Sequence, residues 1–324
     1  MYDPFARGEY AVGVRSVTLT DASRDGRSLA VEIWYPATSA HAGADRDEAT
    51  QDTFEVLPGF PIVQQEAVRD AELAAGLFPF IAFSHGFGGH RRQSTFLRTH
   101  LASHGYVVAA VDHSGNTITD MLELMMQIQA GAPLPDAVET ARRFIELRPA
   151  DVRFMIDRVV AGAGDVGQAI DVGRIGMSGH SFGGWTTLMV TAADRRIRAA
   201  LPLAPAGGAS PLPAEPLRDA LRFDWGRAVP TLYLVAERDS LLPLEGMREL
   251  REKTPEPRRL AVLLDADHMH SCDRIEQVHE MFRMMPPPGD FARVAQSVPP
   301  IAELCPAEHG YAFNRALGLA HFDA

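Results

Sequence analysis

The residues with the clearest chemical potential form the run Gly179-His180-Ser181-Phe182-Gly183-Gly184. It follows an apolar stretch ending at Met177 and precedes a helix-compatible segment, which is the strand-turn-helix setting of a serine held on a sharp elbow. Such a turn strains the backbone and leaves no room for side chains at 179 and 183, while Gly184 would let the following helix approach neighbouring strands. A serine hydroxyl is a weak nucleophile until a base takes its proton, and an imidazole is the usual base. Twelve histidines are present, so position has to choose among them. An elbow serine is followed along the chain by its acid and then by its base. Asp267-His268-Met269-His270 comes directly after the last strand-like run, so His268 is the expected base, with His270 as rival. The acid that must hold the imidazole tautomer is read as Asp239, which ends the strand-like run Leu232 to Val235 in a polar loop. Glu237 is its neighbouring competitor, while Asp265 and Asp267 stand too close to His268 in the chain.

Acyl transfer also needs donors aimed at a developing oxyanion. The Phe182 N–H follows the nucleophile. The small residues of His85-Gly86-Phe87-Gly88-Gly89, after the run Phe80 to Phe83, let a second amide point inward, and Phe87 is the expected donor. A purely structural glycine turn is the alternative. Asp267, His268, His270, Cys272 and Asp273 could instead share a metal ion, but that reading leaves the elbow unexplained, and neither metal nor cofactor is expected.

Short, nearly continuous apolar runs at Phe80 to Phe83, Tyr106 to Val111, Arg174 to Met177, Ile197 to Leu203, Thr231 to Val235 and Leu260 to Leu264 suit strands buried on both faces of a parallel sheet. Helix-length stretches lie between them at Gln93 to His104, Ala150 to Ala161, Phe182 to Ala193 and Leu244 to Glu252. The alternation predicts an α/β fold of about eight strands, mostly parallel, with helices on both faces. Val14 to Thr20 and Leu29 to Tyr35 flank a cluster of turn formers and read as an antiparallel hairpin at the start. A single domain over 1–324 is expected. Residues 116–149 read as a cap or lid insertion and 273–306 as a long excursion after the base. The apolar cluster Met121, Leu122, Leu124, Met125, Met126 and Ile128 either lines an acyl pocket or packs onto the body of the protein.

The 324 residues, 46% apolar and 23% charged, suffice for a large core. A formal charge of −11 would repel phosphate backbones, so nucleic acid is not an expected partner. No apolar run approaches the roughly 20 residues of a membrane span. The start lacks a secretory pattern, so a cytoplasmic location is expected, with a secreted form trimmed of its leader as the alternative. Two cysteines, Cys272 and Cys305, form either one bridge or a reduced pair.

Taken together, the elbow, the loop Ser84-His85-Gly86-Phe87-Gly88-Gly89, the hairpin leading into Ile33-Trp34-Tyr35-Pro36, Val111-Asp112-His113-Ser114-Gly115-Asn116-Thr117 and Arg148-Pro149-Ala150-Asp151-Val152-Arg153 resemble the platelet-activating-factor acetylhydrolase and dienelactone-hydrolase-like branch of the α/β-hydrolases. The resemblance spans most of the chain. It implies an α/β-hydrolase fold and a cofactor-free serine hydrolase of carboxylic esters, acting on a small-molecule ester of short to medium acyl length. Dienelactone hydrolases use a cysteine where this chain has Ser181. The acetylhydrolases place their acid near the position of Ala204, where no carboxylate stands, which favours Asp239 and counts against the lipid mediator as substrate. Polyester, thioester or amide hydrolysis on the same residues is the alternative, and a non-catalytic binding protein on this scaffold is the reading of another class.

Overall fold

The computed structural model describes residues 3–324. The chain opens with the antiparallel hairpin β1 (Ala11–Asp21) and β2 (Arg27–Ala37), in unbroken register from Ala11↔Ala37 to Asp21↔Arg27. Short strands β3 (Asp52–Phe54), β4 (Val63–Gln65) and β5 (Val68–Arg69) follow, and then β6 (Phe78–Ser84), α1 (Thr95–Ser103) and β7 (Val107–Val111). Next come α2 (Ile118–Gln129), α3 (Ala137–Val160), β8 (Ile170–His180), α4 (Phe182–Ala193), β9 (Ile197–Leu203), α5 (Glu215–Ala220), β10 (Thr231–Ala236), α6 (Leu244–Lys253) and β11 (Arg258–Leu263). The chain ends with α7 (Ile275–Met284), α8 (Asp290–Ala295) and α9 (Ala307–Asp323).

The main sheet has nine strands in the order β11-β10-β9-β8-β6-β7-β2-β1-β5, parallel from β11 to β7. The sequence pattern predicts about eight. The additional strand β5 is a two-residue pairing with β1, too short to leave a periodic trace. Alternate residues of each strand feed opposite faces. Phe80 and Ala82 of β6 pack with Val152, Met155, Ile156 and Val159 of α3, while Ile81 and Phe83 pack with Leu97 and Leu101 of α1 and Leu319 of α9. Each of these side chains larger than alanine, fully buried, contributes about 1.5–3 kcal/mol of transfer free energy.

Where a helix starting at Ala150 is predicted, α3 begins at Ala137, capped by the Asp136 carboxylate on the Glu139 N–H at 2.8 Å. Pro149 lies inside the helix. Proline removes one helical hydrogen bond and commonly marks a boundary, which is why the helix was not legible upstream of it. The apolar cluster of 121–128 forms α2, whose N-terminus carries a Thr117–Asp120 capping box. Unlike a packed helix, α2 buries no residue, and Leu122 and Met126 are 41% and 61% exposed. The excursion after residue 273 carries α7 and α8. Neither cysteine is bridged. No helix among the described residues is long and apolar enough to cross a membrane.

Candidate active site

Because β6 to β11 all run parallel, the loops after β6, β8, β10 and β11 open on the same carboxyl edge of the sheet. The predicted residues lie there. Ser181 joins β8 to α4 with φ +60° and ψ −118°. A non-glycine residue in that conformation stores about 1–3 kcal/mol and persists only where its surroundings over-determine it. Here they do: the Ser181 N–H donates to the Leu203 carbonyl at 2.8 Å, and the Ser181 carbonyl accepts from Trp185 at 3.0 Å and Ala206 at 3.1 Å. A Cβ at Gly179 would come within 2.4 Å of the Gly183 carbonyl oxygen, and one at Gly183 within 1.9 Å of the Ser84 oxygen. The same test at Gly184 finds Pro205 and Leu203, so this glycine lets α4 approach the end of β9.

His268 and Asp239 meet. The His268 Nδ1–H donates to Asp239 Oδ2 at 2.7 Å, and both side chains are 5% exposed or less. Asp239 Oδ1 is held by the Leu241 and Leu242 N–H groups at 3.0 and 2.7 Å. Burial disfavours the imidazolium of His268, but the Asp239 and Asp267 charges outweigh it and raise its pKa above that of a free imidazole. With Nδ1 committed to Asp239, Nε2 is the nitrogen that can exchange a proton.

The competitors are otherwise engaged. The exposed carboxylate of Glu237 accepts the Asp265 N–H at 3.0 Å. Asp267 braces the two loops, accepting from the Ser240 N–H at 2.9 Å and the His268 N–H at 2.6 Å. His270 donates from Nε2 to the Cys305 carbonyl at 3.1 Å and accepts the Asp267 N–H at Nδ1. Asp273 caps α1, taking the Thr95 N–H at 2.7 Å and the Phe96 N–H at 3.2 Å. Among the described residues no group of three or more such side chains is arranged to hold a metal ion.

The loop after β6 lies against the elbow: a Cβ on Gly86 would be 3.5 Å from the Ser181 Cβ. The peptide plane that carries the Phe87 N–H is fixed through its other end, since the Gly86 carbonyl accepts from His85 Nδ1 at 2.7 Å and from the Gly89 N–H at 3.2 Å. The Phe182 N–H opens α4, where the helix dipole favours negative charge. Phe87 stacks between Phe182 and Phe291 of α8, with ring centroids 6.5 and 5.6 Å apart. Met121 of α2 sits over Gly88, and the Ile118 N–H ties α2 to the Gly89 carbonyl at 2.9 Å.

Beneath this loop lies a group the sequence reading assigned no role. Ser84 Oγ donates to His113 Nε2 at 2.9 Å, and His113 Nδ1 donates to Asp151 at 3.1 Å, all of them fully buried. Arg148 donates to Ser84 Oγ at 3.2 Å, to Asn116 at 2.5 Å and to the His85 carbonyl. The His113 N–H donates to His85 Nε2 at 3.1 Å. His113, Asn116, Arg148 and Asp151 stand in the two segments singled out by resemblance, which was the only upstream signal for them. Phe291 carried none.

The sequence model of the family described as platelet-activating factor acetylhydrolase, isoform II, matches residues 58–132. A platelet-activating factor acetylhydrolase from Bos taurus is 26% identical over 241 residues, covering 62% of this chain and 54% of its own. This chain thus spans about half the length of that relative. A cutinase from Thermobifida fusca (strain YX) is 26% identical over 243 residues, covering 71% of this chain and 68% of its own. Among solved structures, a ferulic acid esterase from Streptomyces cinnamoneus superposes with a TM-score of 0.66 at 26% identity, covering 98% of this chain and 91% of that one. The fold is that of the α/β hydrolases.

Proposed function

We propose that this α/β-hydrolase-fold chain is a serine carboxylic-ester hydrolase working through an acyl-enzyme. Ser181 Oγ attacks the ester carbonyl while His268 Nε2 takes its proton. The charge that develops on the carbonyl oxygen is held by the Phe87 and Phe182 N–H groups. As the intermediate collapses, the C–O bond to the alcohol breaks and His268 returns the proton to the leaving oxygen. Water, deprotonated by the same imidazole, then hydrolyses the acyl-serine. Asp239 keeps Nδ1–H in place and stabilises the imidazolium formed in each step. No cofactor enters the scheme.

The observation that carries this reading is the positive-φ serine at a strand-to-helix turn, next to a loop whose amides are held in place and on the same sheet edge as a buried Asp239–His268 pair. The names of the relatives support an ester as substrate. The aromatic and thioether cover over the oxyanion loop supports a small-molecule ester of short to medium acyl length, with α2 and α7–α8 as cap elements on one domain. Two free thiols support a reducing, cytoplasmic setting. The test is incubation with a fluorophosphonate followed by peptide mapping, alongside hydrolysis of p-nitrophenyl acyl esters. Label and activity should both depend on Ser181 and vanish in Ser181→Ala; label elsewhere, or none, overturns the reading.

A further inference from the structure

We propose that Gln93 and His180 are positioning residues that couple the oxyanion loop to the catalytic histidine; this inference rests on the serine-hydrolase reading above. The Gly86 N–H can only donate, and it donates to Gln93 Oε1 at 2.8 Å, so the orientation of the Gln93 amide is fixed. Its Nε2 then faces His180 Nδ1 at 2.7 Å and Cys272 Sγ at 3.3 Å, both acting as acceptors. With Nδ1 accepting, the proton of the His180 ring sits on Nε2 and is donated to the carbonyl of His268 at 3.0 Å. Every link points the same way, from Gly86 through Gln93 and His180 to the backbone of the proposed base. The His180 ring also packs on the His268 ring, 4.5 Å between centroids.

His180 is 2% exposed, and burial together with the neighbouring His268 holds its pKa well below that of a free imidazole. Its neutral form is the one the chain requires, because a proton on Nδ1 would meet the Gln93 NH₂. The anchor at Gln93 is stiff. The Asp273 N–H donates to the Gln93 carbonyl at 2.9 Å, and Ser94 Oγ donates to the Ser271 carbonyl at 2.7 Å, which stitches the start of α1 to the loop carrying His268. Gln93 thus fixes the residue preceding the Phe87 donor, and His180 fixes the base, through one side-chain contact. A small misplacement of either would be felt in the transition state more than in substrate binding.

Two variants test this, with rates expressed per Ser181 labelled by fluorophosphonate so that unfolded protein does not count. Gln93→Leu removes both links. It should lower kcat about 10- to 100-fold, with KM within about threefold, and slow the labelling of Ser181 in parallel. Gln93→Glu still accepts the Gly86 N–H, but its second oxygen faces His180 Nδ1, so this contact and the Nε2–H bond to the His268 carbonyl coexist only when the pair of the new carboxyl group and His180 holds an extra proton. Its kcat should therefore gain a new alkaline limb that the wild-type profile lacks. A merely structural glutamine would not create that limb. Gln93→Leu with kcat per labelled site within threefold of wild type, or a Gln93→Glu profile that superimposes on wild type, overturns the inference. A wild-type protein that neither labels at Ser181 nor cleaves esters fails the functional reading instead.

Discussion

Asp239 and His268 are joined at 2.7 Å in a site from which water is nearly excluded, and the second Asp239 oxygen is occupied by two backbone amides. The carboxylate is therefore locked at both ends. Replacing Asp239 with Asn keeps the shape but can present an NH₂ to Nδ1, which favours the wrong tautomer. We expect kcat/KM to fall about 10³- to 10⁴-fold, against less than threefold for Glu237→Gln, whose carboxylate only braces a turn. A comparable loss in both variants would remove Asp239 from its role.

The same pair sets the pH dependence. Only neutral His268 can accept the serine proton, so activity rises as the imidazolium deprotonates. Since the neighbouring carboxylates raise this pKa, the acidic limb of kcat/KM should have its midpoint above the ~6.5 of a free imidazole. In Asp239→Asn the residual activity should titrate at lower pH. A wild-type midpoint at or below that of free imidazole would contradict the geometry.

The elements that carry the proposed chemistry were legible because each sits where one periodicity ends. β9 and α4 have the bounds their apolar patterns predict, and the elbow between β8 and α4 is written in residues that tolerate no side chain at 179 and 183. Contacts between segments distant in the chain were not legible. Gln93 reads only as the start of a helix-length stretch, and Asp273 only as one of a set of possible metal ligands, until α1 is brought beside the loop of His268. Arg98, a cation in the middle of α1, lies fully buried between the rings of Trp34 and Phe83, 4.4 and 4.5 Å away. Such placements depend on tertiary neighbours that no local pattern encodes.

Phe291 should govern acyl length. It stacks on Phe87, whose N–H is the proposed oxyanion donor, from helix α8 within the excursion after residue 273. Phe291→Ala opens space beside the reacting carbonyl without touching Ser181, His268 or Asp239. We expect the ratio of octanoate to acetate ester kcat/KM to rise by about 10-fold, in line with the worth of a few methylene contacts. An unchanged ratio across an acyl series would mean that the chain of the substrate leaves the site elsewhere.

Acid should unfold the protein early. Burial lowers the pKa of His90 and His100 to about 3 and of His113 to about 4, and holds His85 and His180 well below the ordinary value. These rings are neutral when folded but take up protons when unfolded, so their contribution is complete above pH ~6.5 and is lost as pH falls below it, by about 1.4 kcal/mol per group per pH unit. His268, with its pKa raised, works in the opposite direction and stabilises on the acid side. With His270 and His321, whose pKa values are lowered too, seven groups against one decide the sign: the urea midpoint should drop steadily from pH 7 to pH 5. A flat profile would mean that these rings are hydrated.

Ser84, His113 and Asp151 repeat the order of hydrogen bonds of a catalytic serine, histidine and acid, so a label on Ser84 is the sharpest challenge to the assignment of Ser181. Three features argue that this set is structural. All three side chains are fully buried, Ser84 is held in the sheet register between β7 and β8 as the last residue of β6, and Arg148 places a guanidinium on its hydroxyl. His113, with its pKa lowered by burial and by that cation, is also too weak a base to share a proton with serine near neutrality. We therefore expect fluorophosphonate to leave Ser84 unmodified even in Ser181→Ala. His113→Ala should act on stability, by about 2–4 kcal/mol, because it leaves a buried cavity, takes the acceptor from the Ser84 hydroxyl and one donor from Asp151, and removes the ring packed 5.0 Å from that of His85, the residue that orients the Phe87 peptide. Measured as urea unfolding beside kcat per labelled Ser181, that variant should lose stability first, and activity only in so far as the oxyanion loop moves. A stable His113→Ala protein with no activity at all would instead make the buried set part of the chemistry.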